Sequence, residues 1–161
     1  MVSGLWIAFI GWFLDNAAQS SYRQMAVRSL LEGHTVGEIM TRGCEALSPD
    51  ATLKEIVDRY IFASGRRCLP VTEGGRLLGL VTVHRIQRYP TAEWSARTAR
   101  EAMIPREELR STSPSQALTK ALQEMAEDGV NQLPVLEGEQ MVGLLTRENV
   151  TTFLQLKARL R

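Results

Sequence analysis

Two stretches of the chain carry the same pattern of apolar residues, about 65 positions apart. In each stretch the apolar residues recur at i, i+3, i+4, i+7 and i+8, the spacing of an amphipathic helix with one buried face. They stand at positions 53, 56, 57, 60 and 61 in the first stretch, and at 118, 121, 122, 125 and 126 in the second. Thr52 and Glu55 have capping-box spacing at the start of the first. The pattern therefore predicts one amphipathic helix in each half of the chain.

A hairpin pattern follows each predicted helix. An apolar run (CLPVT, then QLPVL) leads through a polar turn with glycine (EGGR, then EGEQ) to a second apolar run (LLGLVT, then MVGLLT). A further helix follows each hairpin, most clearly ENVTTFLQLKARL. The repeat covers residues 36–156, and each copy predicts the order strand, helix, strand, strand, helix. Neither copy alone is large enough to bury its sheet and helices well, so we expect the two to pack together.

The N-terminal residues 2–14 carry no charge, and four explanations of them stay open. They are a signal peptide, an interfacial anchor, the end of a truncated transmembrane helix, and a buried core helix. Thirteen helical residues cover about 20 Å, against about 30 Å of membrane hydrocarbon. A signal peptide is disfavoured because no basic region precedes the apolar run and Asp15 follows it. The helical pattern continues to a stop at Gly33, and Arg23 and Arg28 fit a cytoplasmic exit.

Composition removes several function classes. The 19 basic and 18 acidic residues are scattered, which argues against a nucleic-acid partner. Cys44 and Cys68 indicate free thiols of a reducing compartment, although one disulfide stays open. The two histidines, His34 and His84, lie fifty residues apart and cannot form an H-E-x-x-H zinc motif. Because no nucleophilic triad or glycine-rich phosphate loop is visible either, we expect no enzyme activity, catalytic residue or zinc in this chain.

The LPV sequences and the G-L-V-T and G-L-L-T sequences give each copy a resemblance to a CBS motif. Two in tandem resemble a CBS pair, or Bateman module. The resemblance implies an α+β fold in which two βαββα motifs pack about a pseudo-twofold axis and leave two clefts that often take adenine nucleotides. We expect a leader over residues 1–33, motif 1 over 34–90, and the linker with motif 2 over 91–161.

A second resemblance covers the flanks of the repeat. The sequence GLWIAFIGWFLDNAAQSSYRQ, with EW and TAREAM between the motifs, is similar to the C-terminal end of site-2-type intramembrane zinc metalloproteases that carry CBS domains. This implies that the chain begins inside a last transmembrane helix, with the catalytic portion upstream. The N-terminal segment would then lie in the cell membrane and the CBS pair in the cytoplasm. The implied partners are the membrane portion of the same protein and a second copy of the pair.

The CBS resemblance also implies which residues meet a ligand. In that family a G-h-h-[ST]-x-x-D pattern ends the last strand; its hydroxyl and the following helix meet the phosphate, and its aspartate accepts from the ribose hydroxyls. Thr82 and Thr146 match the hydroxyl position, in what we name the first and the second cleft. Arg85 and Asn149 stand where the aspartates would be. Asn149 keeps one acceptor, whereas Arg85 has none and would either meet a phosphate or close the first cleft with a salt bridge.

The second cleft is therefore the better candidate for a nucleotide. Arg66 and Arg67 precede the CLPV strand and are either phosphate contacts from the other copy or a solvated turn. Thr82 and Thr146 are either ligand contacts or simple helix N-caps. Two functions follow: a regulatory sensor of AMP, ADP or ATP, with S-adenosylmethionine also open, that controls a membrane metalloprotease-like domain, or a dimerisation and protein-interaction module without a small ligand. The missing aspartates move weight from the first function towards the second, which stays the alternative to the sensor.

Overall fold

The structure, a computed structural model, describes residues 26–66 and 68–160. The apolar segment 2–14 and Arg67 lie outside this range, so the expectations for both stay predictions. None of the helices in the described ranges combines the length and the apolar character that a membrane crossing needs. The described part of helix α1 covers residues 26–31, and Gly33 follows it with φ 82°, the left-handed conformation predicted for a helix stop.

The helices after α1 are α2 (Val36–Ile39), α3 (Leu53–Ile56), α4 (Val83–Ile86), α5 (Ala99–Ala102), α6 (Leu118–Glu127) and α7 (Arg147–Arg159). The two predicted amphipathic helices are confirmed as α3 with its continuation and as α6. Helix α3 continues as a π-helical turn over Val57–Phe62, and single 3-10 turns cover Thr91–Glu93 and Arg106–Glu108. Thr52 accepts a hydrogen bond from the Glu55 amide, and the Glu55 carboxylate accepts from the Thr52 amide, so the predicted capping box is formed.

The two predicted hairpins are also confirmed, and their pairing is equivalent. Strands β1 (Cys68–Glu73) and β2 (Arg76–Thr82) form the first hairpin, and β4 (Gln132–Glu137) and β5 (Gln140–Thr146) form the second. Cys68 pairs with Thr82 as Gln132 pairs with Thr146, and each first strand has one irregularity, between the first and second residues after its proline. The hairpins join edge to edge through one pair, Arg76 with Gln140.

The chain before each hairpin crosses to the other one. We name residues 40–47 the first crossing segment and residues 103–112 the second crossing segment. Thr41 bridges to Leu144 of β5, while β3 (Ile104–Pro105) pairs with β2. Each segment then returns to the hairpin of its own copy, at the Leu47–Val71 and Thr112–Val135 bridges. The predicted leading strands are short. The first is the single bridge at Thr41 and the second is the two-residue strand β3, and each pairs with a strand of the other copy.

This crossing exchanges core residues between the copies. One core combines Leu31, Val36 and Met40 of the N-terminal part with α6, the second hairpin and α7. The other core combines Ala99 and Ala102 of α5 with α3 and the first hairpin. Each core is thus completed by a short helix from the opposite half.

The glycines of the G-L-V-T and G-L-L-T sequences make room for the crossing segments. A Cβ on Gly143 would lie 2.8 Å from the Thr41 carbonyl oxygen, and a Cβ on Gly79 would overlap the Ile104 carbonyl oxygen. A side chain at either position would push the crossing segment off the strand that it pairs with.

Candidate functional site

Thr146 and Asn149 lie in direct contact where β5 passes into α7. Thr146 is the N-cap of α7. Its hydroxyl accepts from the Asn149 backbone N–H at 3.1 Å and donates to the side-chain Oδ1 of Asn149 at 2.9 Å. The Thr146 backbone N–H donates to the same Oδ1 at 3.0 Å. The N-cap reading of Thr146 is therefore confirmed. Because Oδ1 already accepts two hydrogen bonds, Asn149 is held in one orientation.

Asn149 also ties the second cleft to the first crossing segment. Its Nδ2 donates to Thr41 Oγ1 at 3.0 Å, across 108 positions of sequence. Within the first crossing segment, the Cys44 thiol donates to the Thr41 carbonyl at 3.4 Å. One N–H of the Asn149 side-chain amide is therefore taken by Thr41, and the other has no partner among the described residues.

The Arg66 side chain is exposed. Burial raises the pKa of the Cys44 thiol, and the positive charge of Arg66 opposes that rise. The second cleft thus brings together Thr146, Asn149, Thr41 and Cys44, and the charge of Arg66 acts on Cys44. Thr41 and Cys44 were not predicted as site residues, because nothing in the pattern around them indicates that they meet α7.

The first cleft is built differently. Thr82 is the N-cap of α4, and its hydroxyl accepts from the Arg85 amide at 3.2 Å, which confirms its N-cap reading. Arg85 Nη2 donates to the Met103 carbonyl of the second crossing segment at 3.5 Å, while Arg85 Nε is buried without a partner in the described residues. No ion pair within residues 26–66 and 68–160 includes Arg85. The salt bridge considered for Arg85 is therefore absent from this part of the chain.

Both cysteines are free thiols, so the disulfide left open by the sequence is not formed. Burial raises the pKa of the Cys68 thiol to about 12, and the Gln132 side chain, at the equivalent position of the second hairpin, opposes that rise. No three His, Cys, Asp or Glu side chains of the described ranges are grouped to hold a metal ion.

The C-terminal half of α7 contacts residues 30–34. Lys157 Nζ donates to the Leu30 carbonyl at 3.1 Å and contacts His34 Nε2. The Phe153 ring packs edge-on against the His34 ring with centroids 4.9 Å apart. His34 Nδ1 pairs with Glu38 at 2.8 Å, and this hydrogen bond lowers the pKa of Glu38. Helix α7 therefore contacts residues 30–41 at both of its ends.

Comparison with known protein families gives one match. The family model described as CBS domain matches residues 36–91 and 99–156, in two copies. The matched ranges contain both hairpins and both crossing segments.

Two curated relatives cover almost the whole chain. One is a Mycobacterium tuberculosis protein named as the zinc metalloprotease Rip3, 25% identical over 158 residues, which are 97% of this chain and 40% of that protein. The other is a Synechocystis protein named as the zinc metalloprotease sll0528, 24% identical over 160 residues, which are 98% of this chain and 42% of that protein. The chain thus spans about two fifths of the length of these relatives.

Solved structures show the same fold. CBSX2 in complex with AMP matches with a TM-score of 0.68 and 23% identity, covering 78% of this chain and 99% of that one. The CBS domain of a bacterial CNNM/CorC family Mg²⁺ transporter in complex with ATP matches with a TM-score of 0.71 and 21% identity, covering 84% of this chain and 97% of that one. At these identities the likeness establishes the α+β fold of paired CBS motifs and nothing finer.

Proposed function

This chain belongs to the CBS domain family, and we propose that it is a regulatory module that binds an adenine nucleotide in the second cleft and controls an attached membrane zinc metalloprotease. The observation that carries the proposal is the placement of α7. Its N-terminal end contains Thr146 and Asn149. Its C-terminal turns contact residues 30–34, which lead back to the N-terminal segment.

The chemistry of the second cleft suits a nucleotide phosphate. Helix α7 is 13 residues long, and the dipole at the start of a helix of this length favours an anion. Arg66 adds a nearby positive charge, and Arg67 stays a predicted second contact. Asn149 supplies an amide for the ribose hydroxyls in place of the carboxylate that the CBS resemblance implies. AMP and ATP in the two related structures support the choice of ligand class.

Transmission would begin at the contact between Asn149 and Thr41. A ribose that accepts from the second N–H of Asn149 Nδ2 shares this amide with Thr41 Oγ1 and so changes the contact between the first crossing segment and α7. That segment follows directly after α2, which lies beside the His34 and Lys157 contact. The binding event and the leader are thus joined by one helix and one short segment.

The attached portion and its location are inferred from the relatives. The chain covers only two fifths of Rip3 and sll0528, both named as metalloproteases. We therefore propose that the N-terminal segment lies in the cell membrane, that the CBS pair lies in the cytoplasm, and that the regulated activity is peptide hydrolysis by the membrane portion.

Thermal unfolding of the full chain with AMP, ADP or ATP tests the ligand. We expect the Tm to rise with at least one of them, since a ligand that binds only the folded state stabilises it by about 2.7 kcal/mol at 100 times its Kd. Asn149→Ala should abolish the rise. Thr82→Val, the equivalent hydroxyl in the other cleft, is the matched control and should keep the wild-type response. Equal responses of the wild type and Asn149→Ala would contradict the proposal.

A second candidate function, homodimerisation without a small ligand, is favoured by exposed apolar side chains. Phe62 is 78% exposed at the end of the π-helical turn, and Leu156 of α7 is 53% exposed. This function predicts a dimer whose population rises with protein concentration, no Tm response to any adenine nucleotide, and dissociation by Phe62→Lys. Sedimentation of the wild type and of Phe62→Lys over a range of concentrations measures it.

A further inference from the structure

The residue just before α2 and the residue just before α5 have equivalent surroundings but different chemistry. Each of these helices begins with a capping box, and the residue before its cap threonine is His34 in the first copy and Arg97 in the second. Both contact the glutamate of their own capping box. His34 Nδ1 lies 2.8 Å from Glu38 Oε2, and Arg97 Nη1 lies 3.1 Å from Glu101 Oε1. One copy therefore places a titratable ring where the other places a permanent charge.

The third member of each group has the opposite charge in the two copies. Arg97 also pairs with Glu93 at 2.9 Å, whereas His34 Nε2 contacts Lys157 Nζ. Glu93 and Lys157 are equivalent, since each stands eleven residues after the cap threonine of its hairpin. Arg97 thus lies between two carboxylates, and its hydrogen bonds to them raise its pKa. His34 lies between a carboxylate and an ammonium group.

One form of the His34 ring satisfies both of its neighbours. A carboxylate only accepts and an ammonium only donates, so Nδ1 carries a proton towards Glu38 and Nε2 is bare towards Lys157. This form is the neutral imidazole. A second proton, on Nε2, would face the Lys157 ammonium with like charge and no acceptor, and it would strengthen the bond to Glu38. Protonation therefore favours the contact with α2 at the expense of the contact with α7.

The other elements packed against His34 contribute backbone groups. Its N–H donates to the Leu31 carbonyl of α1, and its carbonyl accepts from the Leu118 N–H at the start of α6. Within residues 26–66 and 68–160, the charged side chains that bond to His34 are Glu38 of α2 and Lys157 of α7. The His34 side chain is 25% exposed, so solvent protons reach the ring.

We propose that His34 is a pH-sensitive latch, which joins α7 to residues 30–34 when the ring is neutral and releases α7 when the ring is protonated. A histidine changes charge between about pH 5 and 8, so the latch opens as the solution becomes mildly acidic. Lys157 Nζ also donates to the Leu30 carbonyl, so its displacement loosens both of its contacts with this segment. The latch needs no nucleotide. It rests on the proposed function only for its consequence, that acid uncouples the second cleft from the membrane portion.

Hydrogen–deuterium exchange of the full chain without nucleotide, at about pH 5.5 and about pH 7.5, tests the latch. Exchange rates are divided by the intrinsic amide rate at each pH. We expect the amides of residues 28–34 and of the C-terminal half of α7 to exchange about tenfold faster in acid, the effect of losing one hydrogen bond to a charged group. The amides of β4 and β5 should keep their protection. The midpoint should coincide with the NMR titration of the His34 ring.

Three variants separate the latch from a general effect of acid. His34→Gln keeps one donor and one acceptor without a titratable charge, so its protection should be the same at both pH values. Lys157→Glu copies the surroundings of Arg97 and should reverse the response, because a protonated His34 would then lie between two carboxylates. His84→Gln removes the other histidine, which is exposed, and is the matched control that should keep the wild-type response.

The proposal is overturned if the wild-type protection of residues 28–34 is equal at both pH values, or if His34→Gln keeps the pH response. Loss of protection in β4 and β5 together with α7 would also overturn it, since acid would then act on the whole fold. If His34→Gln folds poorly, Lys157→Glu decides, because a response of the wild-type sign in that variant contradicts the latch. Asn149→Ala should lose nucleotide binding and keep the pH response, so the two proposals fail separately.

Discussion

The two hairpins are equivalent in their pairing and different in the chemistry at their ends. Each has its cap threonine opposite its first residue, as in Gln132 with Thr146, and each has its glycine against a crossing segment. Beyond that threonine the copies diverge, because Arg85 has a buried Nε without a partner in the described residues, whereas Asn149 bonds to both Thr146 and Thr41. The difference shows that packing constrains the repeat at its strands more than at the residues that follow them.

The helices that follow the hairpins also differ in length. Helix α4 has 4 residues, whereas α7 has 13 and reaches back to residues 30–34. Among the described residues, only the second cleft is therefore connected to residues 30–34 by a helix of more than one turn. This asymmetry favours the second cleft as the regulatory one.

The largest effect should come from the two glycines that admit the crossing segments. Gly79→Ala and Gly143→Ala should each lower the free energy of unfolding by about 2 kcal/mol, because the added Cβ meets backbone oxygen in a packed region. Gly79→Ala should cost more, since its closest neighbour is the Ile104 carbonyl, whereas the closest neighbour of Gly143 is the flexible Met40 sulfur. Urea unfolding measures both. A change below 0.5 kcal/mol, about the size expected for a surface substitution, would contradict the close approach.

A smaller effect should separate the two cap threonines. Thr146→Ala removes a reciprocal cap from the long helix α7 and should cost about 1 kcal/mol or slightly more. Thr82→Ala removes a single hydrogen bond from the short helix α4 and should cost less. Serine at either position is the control that keeps the hydroxyl. Equal losses in the two alanine variants would show that helix length does not matter here.

The smallest effect should appear as a dependence on acid. Hydrogen bonds from the Thr98 amide and from Arg97 hold the pKa of Glu101 below its ordinary value of 4.5. A depressed pKa in the folded state gives stability that is complete above pH 4.5 and is lost as the pH falls through the folded pKa. Glu101→Gln should therefore lower the Tm above pH 5 and approach the wild-type Tm near pH 3.

Glu38 stands at the equivalent position in the first copy and sharpens this test. Its pKa is lowered mainly by the His34 side chain, whereas that of Glu101 is lowered mainly by a backbone amide. In a His34→Ala background, the effect of Glu38→Gln on the pH dependence of the Tm should therefore be smaller than in the wild type. The effect of Glu101→Gln on the pH dependence of the Tm should be the same in both backgrounds. A Tm difference between Glu101→Gln and the wild type that stays constant from pH 7 to pH 3 would contradict the linkage for this residue.

Local signals in the sequence predicted most of the scaffold. The helices over 53–61 and 118–126 follow from their apolar spacing, and the hairpins follow from two apolar runs around a glycine turn. The caps at Thr52, Thr82 and Thr146 follow from a hydroxyl placed just before a helix. These features depend on residues within a few positions of one another, so a single sequence carries them.

The crossing of the leading segments could not be predicted from such signals. Thr41 and Ile104 belong to stretches too short to show a period of two, and their partners Leu144 and Leu80 are chosen by the packing of both halves. The contact of Asn149 with Thr41 depends on that crossing, as does the contact of Arg85 with Met103. The π-helical turn at Val57–Phe62 also has no signal in the apolar pattern, which fits an ordinary α-helix equally well.

The exchange of short helices between the cores imposes an order on synthesis. When the first hairpin has left the ribosome, the alanines of α5 that cover its core still lie about 17 residues ahead in the chain, which is about 1–3 s of translation. Helix α2 waits longer, because its own core includes Leu133, Leu145 and Val150. The nascent first half therefore keeps apolar residues of both cores uncovered until the second half arrives, and exposed apolar surface of this kind is prone to aggregate.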